Sequence, residues 1–265
     1  GGAVPLPGLG DVVSSSAVGV SGDGSAIAGT RNFSTADVDE AFRWESGTAQ
    51  LIADDPNAIR AKAEGISSDG EVIAGNYMRF NPSTFSVSEI AFRWDSGSVT
   101  ELSGPNIFAS RAKAISPDGS VIVGSWTTTT SFGTEGFRWT PDGVESIPGL
   151  STTLNVSPLG VSAGGEFIVG TNTLGSGAFI WDEANGTRLL RDALINDYGL
   201  ANELEGWSLT AANAISANGS VIVGSGFNPQ GGFSGWIAEL DRADVALISF
   251  EENKEGGLQS NGDLE

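Results

Sequence analysis

The sequence of 265 residues contains no cysteine and no histidine. Without cysteine the chain can form no disulfide, no thiolate metal site and no cysteine nucleophile. Without histidine it has no imidazole base, which excludes Ser-His-Asp mechanisms and histidine-ligated zinc sites. Catalysis would therefore have to rest on carboxylates, and we expect no cofactor and no dedicated metal site.

Basic residues are also scarce: 13 lysines and arginines stand against 33 aspartates and glutamates, for a net charge of −20. A surface this acidic repels phosphate groups, so we expect neither nucleic-acid binding nor docking on anionic membranes. No apolar run approaches the length of a membrane span, so direct membrane insertion is not expected. The charge suits a soluble protein outside the cell, and it leaves weak calcium binding open.

Glycine is abundant, with 38 residues beside 10 prolines, as is typical of many short strands joined by tight turns. The hydrophobic fraction of 39% is enough for a core and argues against disorder. The chain begins with Gly1-Gly2 rather than methionine, and we expect a mature or excised form of a longer protein.

One hairpin motif recurs five times, at intervals of 46, 49, 46 and 54 residues. Each copy reads as strand, Asp-Gly-type turn and strand, and the regular recurrence identifies a repeat protein. The copies are AVGVSGDGSAIAGT at Ala17–Thr30, AEGISSDGEVIAGN at Ala63–Asn76, AKAISPDGSVIVGS at Ala112–Ser125, PLGVSAGGEFIVGT at Pro158–Thr171 and ANAISANGSVIVGS at Ala212–Ser225.

A second motif follows each hairpin and predicts a third strand, and a glycine-containing turn then leads to a short fourth strand. Its copies are EAFRW at Glu40–Trp44, IAFRW at Ile90–Trp94, EGFRW at Glu135–Trp139, GAFIW at Gly177–Trp181 and the altered SGWIA at Ser234–Ala238. The fifth repeat lacks a fourth strand, whereas the N-terminal Ala3–Leu6 resembles one. We therefore predict an all-β, five-bladed β-propeller with four antiparallel strands per blade, closed by the N-terminal strand joining the last blade.

The predicted propeller occupies residues 1–240, and residues 241–265 form a polar C-terminal tail or linker. One apolar patch, Val245–Phe250, interrupts the tail. This patch could dock on the propeller or add an edge strand.

The alternation of A-x-x-I-S-x-D-G-x-x-I-V-G with A-F-R-W resembles the HAF-type extracellular repeats of bacterial surface and secreted proteins, over about residues 3–240. The resemblance implies an exported protein, extracellular or at the cell surface and sometimes placed ahead of an autotransporter barrel. It implies no catalytic residues. The chain departs from the pattern at Ile180 and Ile237, which replace the motif arginine, and at Gly165 and Asn218, which alter the turn.

Ligand binding is expected on the face that carries the long loops, because rigid scaffolds concentrate binding residues on variable loops. These loops include Tyr77–Ser88 between a second and a third strand and Arg191–Thr210 between two repeats. Their aromatic, amide and charged side chains suit a glycan or a protein partner, although many such rings instead cap a core. The candidates are Phe33, Tyr77, Phe80, Phe108, Trp126, Phe132, Trp207, Arg79, Asp55 and Asn106.

Two repeated charged positions are better explained by structure than by chemistry. Arg43, Arg93 and Arg138 recur in step with the repeats and each has acidic neighbours, which favours structural ion pairs. The repeated turn aspartates, such as Asp118, lack the alternating oxygen ligands of a calcium loop and fit hairpin-turn chemistry.

Paired carboxylates are the remaining route to catalysis, and that route rests only on analogy with propeller-fold glycosidases. Asp54 and Asp55 are adjacent, and further acids lie in Arg191–Thr210, but none has a signature that sets it apart. The sequence predicts an exported, monomeric binding or adhesion module for a glycan or protein partner, with no catalytic residue. A carboxylate-dependent glycoside hydrolase and a non-catalytic spacer of a cell-surface or autotransporter protein are the alternatives.

Overall fold

The structure is a computed structural model of the chain. It describes residues 5–10, 12–33, 38–52, 58–104, 106–129, 134–151, 155–172, 177–240, 246–252 and 258–260, the last two ranges as backbone only. The described residues form 21 β-strands and one α-helix.

The strands form five antiparallel sheets, and within each sheet the strands lie side by side in chain order. The first sheet consists of β1 (Ser14–Val20), β2 (Ala26–Phe33), β3 (Val38–Glu45) and β4 (Thr48–Leu51). The second consists of β5 (Ala58–Ile66), β6 (Val72–Asn81), β7 (Ser86–Asp95) and β8 (Ser98–Glu101). The third consists of β9 (Ile107–Ile115), β10 (Ile122–Thr128), β11 (Thr134–Thr140) and β12 (Gly143–Ile147).

The fourth and fifth sheets complete the series. The fourth consists of β13 (Val156–Val161), β14 (Ile168–Asn172), β15 (Ala178–Asp182) and β16 (Gly186–Leu189). A helix, α1 (Leu190–Tyr198), follows it, and the fifth sheet consists of β17 (Ser208–Ile215), β18 (Val221–Phe227), β19 (Phe233–Glu239), β20 (Ala246–Glu252) and β21 (Leu258–Ser260). Each of the five hairpin motifs therefore supplies the first two strands of one sheet, as the repeat predicts.

Hydrogen bonds within the Ser-x-Asp-Gly segment hold the hairpin turns of the first three repeats. In the second repeat the Ser67 hydroxyl donates to Asp69 Oδ1 at 2.5 Å, and the Glu71 amide donates to the same oxygen at 3.0 Å. Gly70 takes a φ of 76°, which suits glycine. These hydrogen bonds lower the pKa of Asp69, and their equivalents around Ser25 and Ser21 lower the pKa of Asp23 to about 2. The repeated aspartates are thus explained as turn residues.

A glycine on the second strand of a sheet packs against a phenylalanine ring on the third strand. A Cβ atom on Gly75 would lie 2.4 Å from both the Lys62 carbonyl oxygen and Phe92 Cζ. Phe92 is fully buried, so the ring fills the space that the missing side chain leaves. The same arrangement pairs Gly29 with Phe42. The two sequence motifs recur together because each packs on the other.

The chain divides into two compact units. Unit 1 comprises residues 1–133 and 138–145, and unit 2 comprises residues 134–137 and 146–265. A core cluster of unit 1 includes Ile73, Phe92 and Trp94, whereas that of unit 2 includes Leu190 and Leu194 from α1. Leu189 is exposed because it precedes the first helical turn.

The predicted five-bladed propeller, closed by the N-terminal strand, is wrong. β20 pairs with β19, with Trp236 opposite Ser249 at one end and Glu239 opposite Ala246 at the other. β20 therefore occupies the side of β19 at which the N-terminal strand was predicted to pair. Ala3 and Val4 lie outside the described residues, whereas Pro5 and Leu6 form no strand. The Pro7 carbonyl instead accepts a hydrogen bond from Trp44 Nε1 at 2.8 Å in the first sheet.

The physical reason lies in chain connectivity. β20 follows β19 after a short connection, so their pairing closes a far shorter loop than a strand from the opposite chain end would close. Within the residues described, the five sheets remain separate and antiparallel, and no sheet closes a ring. The alternative that the tail adds an edge strand is confirmed by the backbone of β20.

Candidate functional site

Polar side chains at the ends of the hairpin motifs fasten neighbouring sheets together. In unit 1, Asn76 Oδ1 accepts a hydrogen bond from the Ala112 amide at 2.7 Å, and Asn76 Nδ2 donates to the Ala112 carbonyl at 3.3 Å. Thr30 Oγ1 likewise accepts from the Ala63 amide at 3.3 Å. These contacts set the first strands β1, β5 and β9 beside one another, and clefts open between adjacent sheets.

One cleft is lined mainly by polar residues, and we call it the serine cleft. It has a volume of about 370 Å³ and lies between the first and second sheets. Ion pairs order its charged groups: Arg31 contacts Glu40 at 2.9 Å, and Lys62 contacts Asp39 at 3.4 Å. Its lining residues are Ser14, Ser15, Ser16, Val18, Thr30, Arg31, Asn32, Asp39, Lys62, Ala63 and Glu64.

A second cleft lies between the second and third sheets, and we call it the aromatic cleft. It has a volume of about 250 Å³ and combines an exposed ring, Phe108, with apolar and polar groups. Phe108 is 54% exposed. The cleft is lined by Arg79, Asn81, Ser88, Glu89, Ile90, Glu101, Ser103, Ile107, Phe108, Ala109 and Ser110.

A hydrogen-bonded cluster orients the arginine of the aromatic cleft. The Tyr77 hydroxyl donates to Glu101 Oε1 at 2.5 Å, and Arg79 Nη2 donates to the Tyr77 hydroxyl at 2.6 Å. Arg79 also pairs with Glu101, and its guanidinium lies 5.2 Å from the centre of the Tyr77 ring. The cluster therefore holds Arg79 at the rim of the cleft.

Three of the sequence-predicted residues meet here: Tyr77, Arg79 and Phe108. Tyr77 is buried and stacks on Phe92 with ring centres 5.9 Å apart, so it supports the cleft rather than forming its surface. Phe80 is exposed one residue beyond Arg79 on β6 and meets Phe85 edge to face at 6.2 Å. The predicted Tyr77–Ser88 loop is wrong, because β6 and β7 extend through most of it.

The other candidates do not join this cleft. Phe33 is half-buried, with the Arg31 guanidinium 4.9 Å from its ring centre. Trp126 is buried in β10, and Trp207 is half-buried against the core of unit 2, as expected for rings that cap a core.

Asn106 is exposed with a φ of 70°, and its carbonyl accepts from the Thr129 amide at 2.8 Å. Its position is explained by this turn geometry. Asp55 and Phe132 lie outside the described residues.

Sequence reasoning missed Glu101 and two cations on the first strands of their sheets, Lys62 on β5 and Arg111 on β9. Glu101 ends a four-residue strand of exposed residues, and nothing in its local sequence marks it as the partner of Tyr77 and Arg79. The cations did carry a signal, because the segment Arg-Ala-Lys-Ala begins both at Arg60 and at Arg111.

The repeated arginines form the structural ion pairs that the sequence predicts. Arg43 contacts Glu45 at 2.8 Å and Glu71 at 3.3 Å, and its Nε donates to the Gly70 carbonyl at 2.7 Å. Arg93 and Arg138 pair similarly with acids of their own sheets. Arg43 thus links the first sheet to the hairpin turn of the second.

Among the described residues, each aspartate whose pKa is shifted has it lowered. Hydrogen bonds with Arg93 and Ser96 lower the pKa of Asp95, in the same direction as those of Asp23 and Asp69. A glycosidase general acid needs the opposite shift. In this part of the chain, no three acidic side chains converge as a metal site would require.

Across the described ranges, no helix has the length and apolar character needed to cross a membrane.

Comparison with known proteins supports the fold and nothing finer. No protein-family model matches the chain, so the HAF-type resemblance is unsupported, and no curated protein matches it either. The structure is similar to TolB from Acinetobacter baumannii, with a TM-score of 0.52, 14% identity, and coverage of 93% of this chain and 56% of that chain.

Two further solved structures agree. A putative TolB from Agrobacterium tumefaciens has a TM-score of 0.53 at 11% identity, with coverage of 88% of this chain and 80% of that chain. Acylaminoacyl peptidase from Pyrococcus horikoshii has a TM-score of 0.54 at 12% identity, with coverage of 92% and 43%. The chain thus spans little more than half of the first TolB and less than half of the peptidase. At these identities the likeness shows a propeller-like, all-β fold.

Proposed function

We propose that the protein is an exported binding module that holds a protein partner at the aromatic cleft of unit 1. The observation that carries this proposal is the exposed ring of Phe108 beside the ordered Arg79–Glu101 pair. Aromatic side chains and arginines are enriched among residues that dominate protein–protein binding energy.

The energetics favour a partner that covers the Phe108 ring. Phe108 is 54% exposed. Burying a fully exposed phenylalanine side chain contributes about 1.5–3 kcal/mol, so covering the exposed half of this ring would contribute roughly 0.8–1.6 kcal/mol. The ion pair of Arg79 adds orientation, because its geometry is already set before a partner arrives.

The remaining features of the chain suit an exported protein. The net charge of −20 suits an extracellular or cell-surface setting. The likeness in fold to the TolB structures supports a binding role for a propeller-like scaffold.

A glycan is the second candidate ligand, and the serine cleft favours it. Its hydroxyl groups, the Asn32 amide and the charges of Arg31 and Asp39 supply the donors and acceptors that a polyhydroxylated ligand needs. The cleft has few apolar groups, however, and no exposed ring on which a sugar could stack. The aromatic cleft therefore remains the stronger site.

Site-specific photo-crosslinking tests the proposal. Phe108 is replaced by benzoylphenylalanine, and Val99, an exposed residue of β8 that does not line the cleft, receives the same group as a control. Both variants are incubated with secreted and envelope proteins of the source cells. We expect a discrete adduct at position 108 that is absent at position 99.

The same experiment separates the alternatives. No adduct at position 108, or an equal adduct at position 99, would contradict the proposed site. Glycan-array binding that Phe108→Ala abolishes would assign a glycan instead, and turnover of a glycoside panel would assign a hydrolase. A chain with none of these activities would be a structural spacer.

A further inference from the structure

The hairpin that joins β6 to β7 carries a small apolar cluster at its tip. Each of these strands has ten residues, more than any other strand described, and the sheet contacts β3 on one side and β9 on the other, all within unit 1. Phe85 is 84% exposed, Phe80 is 37% exposed and Val87 is 42% exposed. Phe80 lies opposite Val87 in the strand pairing, and its ring meets that of Phe85 edge to face at 6.2 Å. We call these three residues the tip cluster.

The backbone at Phe85 takes a conformation that its side chain disfavours. Phe85 has a φ of 53°, in the left-handed region that bulky residues rarely adopt. In the described part of the chain, the other non-glycine residues with a positive φ are small and polar: Ser46, Ser96 and Asn106. Strain of this kind persists where the surroundings fix it, and it concentrates at sites that contact ligands. The strained position therefore marks the exposed ring of Phe85 as a candidate contact.

Asn81 holds the turn that presents this ring. Its Oδ1 accepts hydrogen bonds from the Ser83 amide at 2.9 Å and from the Thr84 amide at 3.3 Å. The hydroxyl oxygens of Thr84 and Ser86 lie 2.8 Å apart on either side of Phe85. Asn81 also lines the aromatic cleft. The tip cluster and the aromatic cleft are thus parts of one hairpin, ordered by the same side chain.

The charges around the tip cluster favour a protein as its occupant. No charged residue lies between Arg79 and Glu89, although the chain as a whole has a net charge of −20. Hydroxyl and amide side chains border the rings instead, and an apolar centre within a polar rim is the usual anatomy of a protein–protein interface. The net charge works against an anionic bilayer and against a second copy of this chain. A protein with an apolar pocket fits this surface best.

The area of the tip cluster shows that such a partner must reach further. From the exposed fractions and about 150–250 Å² for an aromatic side chain, the cluster exposes roughly 300 Å². A stable interface covers about 800 Å² on each partner. The aromatic cleft is the adjoining surface, because Arg79 and Ser88 line it and pair one position before Phe80 and Val87 along the hairpin.

We propose that the protein partner of the aromatic cleft also covers the tip cluster and receives the Phe85 ring in an apolar pocket. This inference rests on the proposed function and adds a second point of contact for the same partner. Phe85 is then the larger apolar anchor, since 84% of it is exposed against 54% of Phe108. A protein without a ring-sized apolar pocket loses this contact, so Phe85 determines which proteins bind.

Titration calorimetry with the protein identified through the adduct at position 108 tests the contact. We expect Phe85→Ala to weaken binding by about eight- to seventyfold, because the exposed 84% of this residue no longer enters the pocket. Val99→Ala is the control and should stay within about twofold. Unchanged affinity for Phe85→Ala, beside weakened affinity for Phe108→Ala, would overturn this inference and leave the proposed function in place. Unchanged affinity for both variants would overturn the two together.

Phe85→Gly separates binding from folding, because glycine adopts a positive φ readily. We expect this variant to bind as weakly as Phe85→Ala, with a Tm no more than about 3 °C below that of the unaltered chain. A larger fall in Tm would make Phe85 a structural residue and overturn the inference. Flotation with phosphatidylcholine vesicles and light scattering test the other occupants. Vesicle binding or self-association that Phe85→Ala removes would also overturn it.

Discussion

Asn76 is the side chain whose removal should most directly loosen the contact between the second and third sheets. It is 5% exposed. Its side-chain amide forms hydrogen bonds with the backbone N–H and the backbone carbonyl of Ala112, and a third with Glu64 Oε1 at 2.9 Å. Asn76→Ala removes all three hydrogen bonds. It leaves the amide and the carbonyl of the fully buried Ala112 without these partners.

The expected loss follows from those two backbone groups. A buried donor or acceptor left unsatisfied costs about 1–3 kcal/mol, so we expect Asn76→Ala to lower the free energy of unfolding of unit 1 by about 3 kcal/mol. In a protein of this size that corresponds to a fall in Tm on the order of 6–12 °C. The amide of Ala112 should also exchange its hydrogen faster than in the unaltered chain.

Urea unfolding and calorimetry measure the effect, with the two units analysed as separate transitions where they separate. Asn81→Ala is the matched control, because Asn81 Oδ1 accepts only exposed turn bonds from the Ser83 and Thr84 amides. We expect the control to cost less than about 1 kcal/mol. A loss for Asn76→Ala no larger than that of Asn81→Ala would refute the role of this side chain.

Two further predictions concern the repeated motifs. Gly75→Ala should destabilise the chain by about 2 kcal/mol or more, because its Cβ would collide with Phe92 and the Lys62 carbonyl; a change in urea midpoint equivalent to less than about 0.5 kcal/mol would contradict this. The pKa of Asp23 is lowered from 3.8 to about 2, so its contribution to stability is present above about pH 4 and is lost as the pH falls towards 2. Asp23→Asn keeps the acceptor, as Asn218 does, and should flatten the acid limb of the stability curve; an unchanged limb would count against it.

Local structure followed from the sequence where one motif recurred often enough to be compared with itself. The Asp-Gly turns, the pairing of Gly75 with Phe92 and the ion pairs of Arg43 depend on residues within a repeat or in adjacent repeats. Neighbouring residues determine such features, so a sequence pattern can carry them.

Features set by distant residues escaped prediction. Either the N-terminal strand or β20 could pair with the free edge of β19. Which of them pairs there cannot be read from the sequence of one segment alone. Tyr77 was expected on a loop, yet long strand pairing turns it inward and brings Glu101 to its hydroxyl. The aromatic cleft arises from this pairing, and only Phe108 and Arg79 could be foreseen at its surface.

The affinity of the partner captured at position 108 tests the proposed function most directly. Isothermal titration would compare the unaltered chain with Phe108→Ala and with the control Val99→Ala. We predict that Phe108→Ala weakens binding by about four- to fifteenfold, since covering the exposed half of the ring contributes roughly half of the 1.5–3 kcal/mol of a fully exposed phenylalanine, while Val99→Ala stays within about twofold. Equal affinities for the Phe108→Ala variant and the unaltered chain would contradict the assignment of the aromatic cleft as the binding surface.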